Sequence, residues 1–203
     1  NGVSIGAHPS FQDRENFGRK RLNLSTQEIN RIIIDQINIL SKIAEKNSIK
    51  VTHVKPHGAL NNMACENFEL ASVIAKSIMN VNKDLIFLVP TGSEMENAGK
   101  KLGMKIASEI FADRNYEDDG NLVSRSKNNA LITDPEIAKN HVIKMVKSQA
   151  LNCYSGKQIS CDIDSICVHG DGKTAVKTAD EIRKGLIKSG VTLRPLDQMS
   201  KFA

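Results

Sequence analysis

The sequence predicts an α/β fold, and three observations predict it. Short apolar runs alternate with longer stretches whose apolar residues recur at helical spacing. The run at 85–89, Leu-Ile-Phe-Leu-Val, is apolar throughout, as in a strand covered on both faces. Polar segments carrying Gly or Pro follow most of the runs, so strands and helices are joined by loops in the manner of βαβ units around a parallel sheet.

Residues 3–8 alternate weakly and stop at His8-Pro9, which reads as a first strand. Ser25-Thr-Gln-Glu28 is a capping box, in which the Ser hydroxyl and the Glu carboxylate each satisfy a backbone N–H that the first helical turn leaves unbonded. Behind it Ile29, Ile32, Ile33, Ile37, Leu40, Ile43 and Ala44 form one helical stripe. A second strand spans 49–55 and is stopped by Pro56, and a helix follows with Ala71, Ile74, Ala75 and Ile78 on one face. The third strand, 85–89, ends at Pro90-Thr-Gly92. Ser93 and Glu96 then cap a short helix that Gly103 terminates. Residues 106–112 form a fourth strand, followed by a polar stretch at 113–129. Asp134-Pro135 starts a helix with Pro at its first position, and Ala138, Val142, Met145 and Val146 supply its apolar face. A strand at 165–168, a helix at 174–188 closed by Gly190, and a last strand at 191–193 complete a single α/β domain, 1–203.

Composition narrows the function. The 203 residues are 40% apolar and 25% charged, a globular balance, and no apolar run approaches the ~20 residues of a membrane span. The net charge of +5 comes from scattered lysines, 20 of the 28 basic residues, with no basic block. With aromatics at 4% and no Trp, stacking platforms for nucleic acid are lacking, so neither a nucleic-acid nor a membrane partner is expected. Cys65, Cys153, Cys161 and Cys167 contain no C-x-x-C pair, which fits reduced thiols in the cytoplasm. The Gly172-Lys173-Thr174 triplet copies the end of a P-loop, but Cys167 stands where that motif needs its first glycine.

The unusual polar residues sit where strands end: His8-Pro9, Lys55-Pro-His57-Gly58, Pro90-Thr-Gly92, Asp113-Arg114 and His169-Gly-Asp171-Gly172. Loops after strand C-termini build the ligand sites of parallel α/β folds. Histidine titrates near neutral pH, so His57 and His169 are candidates for proton transfer, with His8, Lys55, Asp113 and Asp171 completing a catalytic rim. Asp13, Arg14 and Arg19 follow His8 closely. With Arg114 they are candidates for a site that holds a substrate carboxylate or phosphoryl group, because a guanidinium grips such anions with paired hydrogen bonds. His53 is expected to be packed within its strand and His141 to lie on a helix surface.

Read together, the segments at 2–10 (Gly-Val-Ser-Ile-Gly-Ala-His-Pro-Ser), 13–19 (Asp-Arg-Glu-Asn-Phe-Gly-Arg) and 53–58 (His-Val-Lys-Pro-His-Gly) resemble the LamB/YcsF family. So do 111–116 (Phe-Ala-Asp-Arg-Asn-Tyr), 119–122 with Arg125, and 167–172 (Cys-Val-His-Gly-Asp-Gly), in the family's order and spacing. The resemblance implies a distorted, seven-stranded (β/α) barrel of the glycoside hydrolase/deacetylase type, and adds Arg125 to the candidate substrate-binding residues. It also implies ring opening of 5-oxo-L-proline to L-glutamate coupled to ATP hydrolysis, performed together with subunits B and C. ATP would be used by that complex, since this chain has no P-loop.

Family members open with an acidic strand, Asp-Leu-Asn-x-Asp-x-Gly-Glu, and a second segment, Asn-x-Ala-Cys-Gly-x-His-Ala-Gly-Asp. Neither occurs here, so the resemblance implies a member lacking its N-terminal strand. Asn61 also replaces the usual Tyr of a Leu-Tyr-Asn triplet. Two other readings stand beside the main one: a metal-dependent deacetylase or amidohydrolase using His8, His57, His169 and an Asp, and an inactive truncated member that only binds partners. A divalent metal and self-association are both left open.

Overall fold

A computed structural model describes residues 2–128 and 130–202. In chain order its elements are β1 (Ile5–Ala7), α1 (Thr26–Lys46), β2 (Val51–Val54), α2 (Gly58–Glu66), α3 (Phe68–Val81), β3 (Ile86–Pro90) and α4 (Glu94–Lys101). Then come β4 (Ile106–Phe111), α5 (Pro135–Ser148), β5 (Ala150–Asn152), β6 (Gln158–Ser160), β7 (Ser165–Cys167), α6 (Ala175–Lys188) and a 3-10 turn at Leu196–Gln198. Strand order in the main sheet is β1-β2-β3-β4-β7, while β5 and β6 form a separate antiparallel ribbon. The pairings β1–β2, β2–β3 and β4–β7 are parallel, as the alternation of strands and helices predicts.

The chain divides into two units, one of residues Asn1–Ala107 with Arg194–Ala203, the other of Ser108–Leu193. In the first, the capping box forms as expected: Ser25 accepts from the Glu28 N–H and Glu28 reaches back to the Ser25 N–H. Ile29, Ile32, Ile33 and Ile37 of α1 are buried with Ala71, Ile74, Ala75 and Ile78 of α3, and with Val54, Phe87 and Val89 of the strands. Each Ile so buried stabilises the unit by roughly 1.5–3 kcal/mol relative to an exposed one. Ile43 departs from its stripe and is 54% exposed. β3 is buried along its whole length, the behaviour its uninterrupted apolar run predicts. Leu196 and Phe202 return to pack on Ile86, Leu88 and Ala107.

In the second unit, Asp134 caps α5 by accepting from the N–H groups of Glu136 and Ile137, with Pro135 at the first helical position. Ala138 and Val142 of α5 pack with Ile182 and Leu186 of α6, beneath Ala112. Phe111, Tyr116, Met145, Leu151 and Cys153 form a second cluster around the β5–β6 ribbon.

Three expectations are corrected. Residues 191–193 form no strand: Val191 bonds back to the Leu186 carbonyl and closes the end of α6 instead. The helix after β2 is two helices, because Asn67 takes an extended conformation, caps α3 through its side chain and leaves α2 separate. His141 is not a surface residue. Its ring packs against the backbone at Arg114, its Nε2 is buried with no partner among the described residues, and burial holds its basicity below the ordinary histidine range.

Candidate active site

Two clusters of the anticipated residues form, one in each unit.

In the second unit, the side-chain period of a strand sets the geometry. Glu109, Phe111 and Asp113 alternate onto one face at the end of β4, and Ser165, Cys167 and His169 do the same along β7. The register pairs Glu109 with Ser165 and Phe111 with Cys167. The ladder runs one step further, Ala112 N–H to the Cys167 carbonyl at 2.9 Å, which brings Asp113 beside His169. His169 Nδ1 lies 2.8 and 2.9 Å from the two Asp113 oxygens. The Phe111 ring stacks on the imidazole with centroids 5.7 Å apart.

Burial raises the Asp113 carboxyl. Hydrogen bonding and charge from His169, with backbone N–H groups, outweigh that and hold the carboxyl below the usual range. Asp113 is therefore ionised at neutral pH and fixes the tautomer with the His169 proton on Nδ1. Nε2 of His169 has no hydrogen-bond partner among the described residues.

This pair borders a pocket of about 250 Å³ lined also by Arg125, Thr133, Asp171, Gly172 and Thr174. The volume falls at the small end of ligand pockets, and the lining mixes one cation with acids and hydroxyls. Arg114 behaves differently. It is 5% exposed and its guanidinium donates to the carbonyls of Val123 (2.6 Å) and Ala130 (3.3 Å). It ties the 113–130 loop together from inside, and the structure does not place it among the pocket residues.

In the first unit, the β1–β2 ladder also outruns its strands: Lys55 N–H donates to the Ala7 carbonyl and His57 N–H to the Pro9 carbonyl, both at 2.9 Å. His8 and His57 consequently stand side by side, His8 Nε2 to His57 Nδ1 at 2.9 Å. The outer nitrogens face main-chain carbonyls, His8 Nδ1 that of Lys55 at 2.6 Å and His57 Nε2 that of Phe17 at 2.9 Å. His53, one step deeper, lies over Gly6 so closely that a Cβ there would sit 2.1 Å from its ring, and burial lowers its basicity.

The segment after His8 folds onto these rings. Asp13 accepts from the Asn16 side chain at 2.8 Å and closes its own turn, while Arg14 and Arg19 are exposed. The Arg19 guanidinium lies 5.2 Å over the Phe17 ring. Phe17, with φ 54°, is missed by residue type, because an aromatic side chain carries no mark of a left-handed backbone. Thr133 and Thr174 are missed as well, since lone hydroxyls carry no spacing signal and only the fold brings them to the pocket.

No three His, Cys, Asp or Glu side chains among the described residues are grouped to hold one metal ion. The four cysteines are free thiols, with Cys65 pushed up to about 12, mainly by burial. No helix is long and apolar enough to cross a membrane.

Strand-end loops, an oriented acid–base pair and a small polar pocket define a class: α/β proteins that process small polar molecules at the C-terminal ends of parallel strands. Within that class the chain belongs to the LamB/YcsF family, whose model matches residues 1–201. It is 46% identical over 198 residues to the A subunit of 5-oxoprolinase from Clostridium beijerinckii, covering 98% of this chain and 78% of that one. It is 44% identical over 196 residues to the A subunit of 5-oxoprolinase from Rhodopseudomonas palustris, covering 96% and 77%. The crystal structure of the lactam utilization protein from Thermus thermophilus superposes with a TM-score of 0.88 at 34% identity, over 95% of this chain and 77% of that one.

Proposed function

We propose that this chain is the A subunit of an ATP-dependent 5-oxoprolinase, a hydrolase that opens 5-oxo-L-proline to L-glutamate in the cytoplasm together with subunits B and C. The observation that carries the reading is the Asp113–His169 pair, with His169 Nε2 open at the edge of a pocket of about 250 Å³ that also contains Arg125. The names of the relatives, lactam utilization protein and the A subunit of 5-oxoprolinase, support the same substrate class. The sheet order β1-β2-β3-β4-β7 is read as part of the distorted, seven-stranded (β/α) barrel of one LamB/YcsF domain.

A five-membered lactam is a stabilised amide, so its carbonyl must be activated before water can add. Transfer of a phosphoryl group from ATP to the lactam oxygen supplies that activation. His169 Nε2 then takes a proton from the attacking water while ionised Asp113 holds the imidazole and stabilises the imidazolium that forms. The carbonyl carbon gains the hydroxyl, and cleavage of the C–N bond in that adduct delivers the ring nitrogen as the amine of glutamate, with His169 returning its proton to it. The carbon is left as an acyl phosphate, which a second water hydrolyses to the carboxylate and inorganic phosphate. Arg125 is assigned to the substrate carboxylate, where a paired hydrogen bond orients the ring.

ATP is assigned to the complex. Cys167 occupies the first P-loop position and pairs with Phe111 in β4, so the 167–174 turn lacks the glycine a phosphate cradle needs there. The donor set does not suit a divalent metal either, since all four ring nitrogens of His8 and His57 already lie in hydrogen bonds. No step is drawn through a metal.

The test is glutamate formation from 5-oxo-L-proline and ATP by the 203-residue chain mixed with subunits B and C. Stoichiometric ADP and glutamate are expected. Absence of both, with a full-length relative active in the same mixture, overturns the reading.

A further inference from the structure

The Gly172-Lys173-Thr174 triplet, which lacks the first P-loop glycine, leads straight into α6, and the helix start it forms is unsatisfied. Thr174 occupies the capping position but its side chain caps nothing. Its hydroxyl donates instead to the Thr133 carbonyl at 3.1 Å, and no acid stands in the first turn. The first N–H groups of a helix have no partner inside it. Ala175 N–H donates to the Gly172 carbonyl at 3.1 Å and Thr178 N–H to the Thr174 carbonyl at 2.8 Å. The N–H groups of Val176 and Lys177 make no hydrogen bond among the described residues. Those two donors, with the positive end of the helix dipole, favour an anion.

A buried side chain independently points to a ligand. Thr174, Ala175 and Thr178 share one face of α6 and line the pocket bordered by His169 and Arg125. Thr178 is 5% exposed, and its hydroxyl makes no hydrogen bond among the described residues, not even to the carbonyl four residues back. A hydroxyl kept from solvent without a partner costs stability, and a ligand in the pocket would supply the partner. Gly170 and Gly172 leave room beside it: neither has a left-handed backbone, and a Cβ at either would meet nothing within 4 Å. Neither conformation nor packing requires glycine at these two positions, and its presence leaves the main chain open to close approach. The charged residues at this end are Arg125, Lys173 and Lys177, opposed by Asp171, while Asp113 is engaged with His169.

We propose that the N-terminal end of α6, with the Thr178 hydroxyl, binds the phosphoryl group of the activated lactam. The identity of the anion rests on the 5-oxoprolinase reading; the anion site itself does not. In the reaction drawn above, the phosphoryl group stays on one oxygen through ring opening and leaves only at the end, as inorganic phosphate. One fixed site can therefore hold it throughout, keeping the reacting carbon beside His169. A whole nucleotide is not expected there, because without the first glycine there is no loop to wrap its further phosphates.

The experiment uses the chain alone, without subunits B and C, so its outcome is separate from any failure of 5-oxoproline cleavage. Inorganic phosphate is titrated into ¹⁵N-labelled protein at constant ionic strength, with chloride as the reference salt and ATP as a second probe. Saturable amide shifts centred on 172–178 are expected with phosphate and absent with chloride, and ATP should bind no more tightly than phosphate.

Two variants sharpen the result. Thr178→Val exchanges the hydroxyl for a methyl and should weaken phosphate about fivefold. Val176→Glu places a carboxylate at the helix end, on a residue that is 86% exposed. It should weaken phosphate about tenfold while raising the denaturation midpoint, because an acid in the first turn suits the helix dipole. Shifts no larger at 172–178 than elsewhere overturn the proposal. So does wild-type phosphate affinity in either variant, and so does ATP binding far more tightly than phosphate at the same amides. Phosphate bound at 172–178 by a chain that forms no glutamate with subunits B and C would keep the anion site and overturn its assignment to the lactam.

Discussion

Two histidine sites that follow the ends of parallel strands end in opposite states. At His169 the partner is a carboxylate, which takes Nδ1–H and leaves Nε2 open beside the pocket. At His57 the partners are another imidazole and a main-chain carbonyl, and all four nitrogens of the pair are occupied. The residue type is the same, and so is the period-2 placement after a parallel strand. The partner decides which ring keeps a nitrogen open and which has both tied. Carbonyls at the outer nitrogens turn the ring into a tie between two pieces of backbone.

The largest expected effect breaks this contrast directly. His169→Gln in the reconstituted complex should lower turnover by about 10³, because His169 Nε2 is the group assigned to take the proton from water. His57→Gln should leave turnover within about tenfold, since His57 ties a main-chain carbonyl and lies outside the pocket lining. Equal losses in the two variants, measured as kcat and KM separately, would erase the distinction.

Asp113→Asn comes next, at about 10² in turnover, through loss of the tautomer control that an ionised carboxylate exerts. The pH dependence of stability gives an independent reading. The folded Asp113 carboxyl lies below its ordinary value near 3.9, so its contribution is fully present above that value and disappears as pH falls through the folded one. Denaturant titrations at pH 7 and at pH 3 should therefore show a smaller gap between wild type and Asp113→Asn at the lower pH. A gap that stays constant would mean that the depressed carboxyl contributes nothing to the fold.

On the side of the histidine pair, Gly58→Ala tests how tightly the segment is seated. A Cβ there would sit 2.4 Å from the Gly18 carbonyl oxygen, and Gly58 has φ 62°. Clash and backbone strain together should cost about 2–3 kcal/mol in urea denaturation. A cost under ~0.5 kcal/mol would show that the segment can lift away freely, leaving the pair nothing to hold.

How far the residues alone reveal this picture differs between the same two regions. The helices declared themselves through periodicity and caps: Ser25 with Glu28, and Asp134 with Pro135, each capping a helix as expected. The Asp113–His169 meeting was implicit in two strand-end motifs, and only the register of β4 against β7 turned them into a contact. Arg114 misled because a guanidinium reads as an anion site whether it faces a pocket or, as here, two buried carbonyls. The β5–β6 ribbon was invisible, being two three-residue strands too short to show a period. His141 went astray for a related reason: helical phase gives the side a residue faces, but not that the loop at Arg114 would cover that side.

The smallest effect concerns how the histidine pair is anchored to the rest of its unit. Gln36 of α1 reads the backbone of Ser10 from both sides, accepting its N–H at 3.1 Å and donating to its carbonyl at 2.8 Å, as a neighbouring strand would. Ser10 lies two residues after His8, so this amide fixes where the first strand ends. Gln36→Leu keeps the size but leaves a half-buried N–H and C=O without partners, at a cost of about 1–2 kcal/mol. Gln36→Glu keeps the acceptor and sets a carboxylate against the Ser10 carbonyl, so it should cost at least as much, and less at pH values low enough to protonate it. At the Asp113–His169 pair neither substitution should change the imidazole nitrogen shifts of His169. Movement of that signal in Gln36→Leu would mean that the two histidine sites respond to one another, and the sharp division between a chemical site and a holding site would have to give way to a single coupled one.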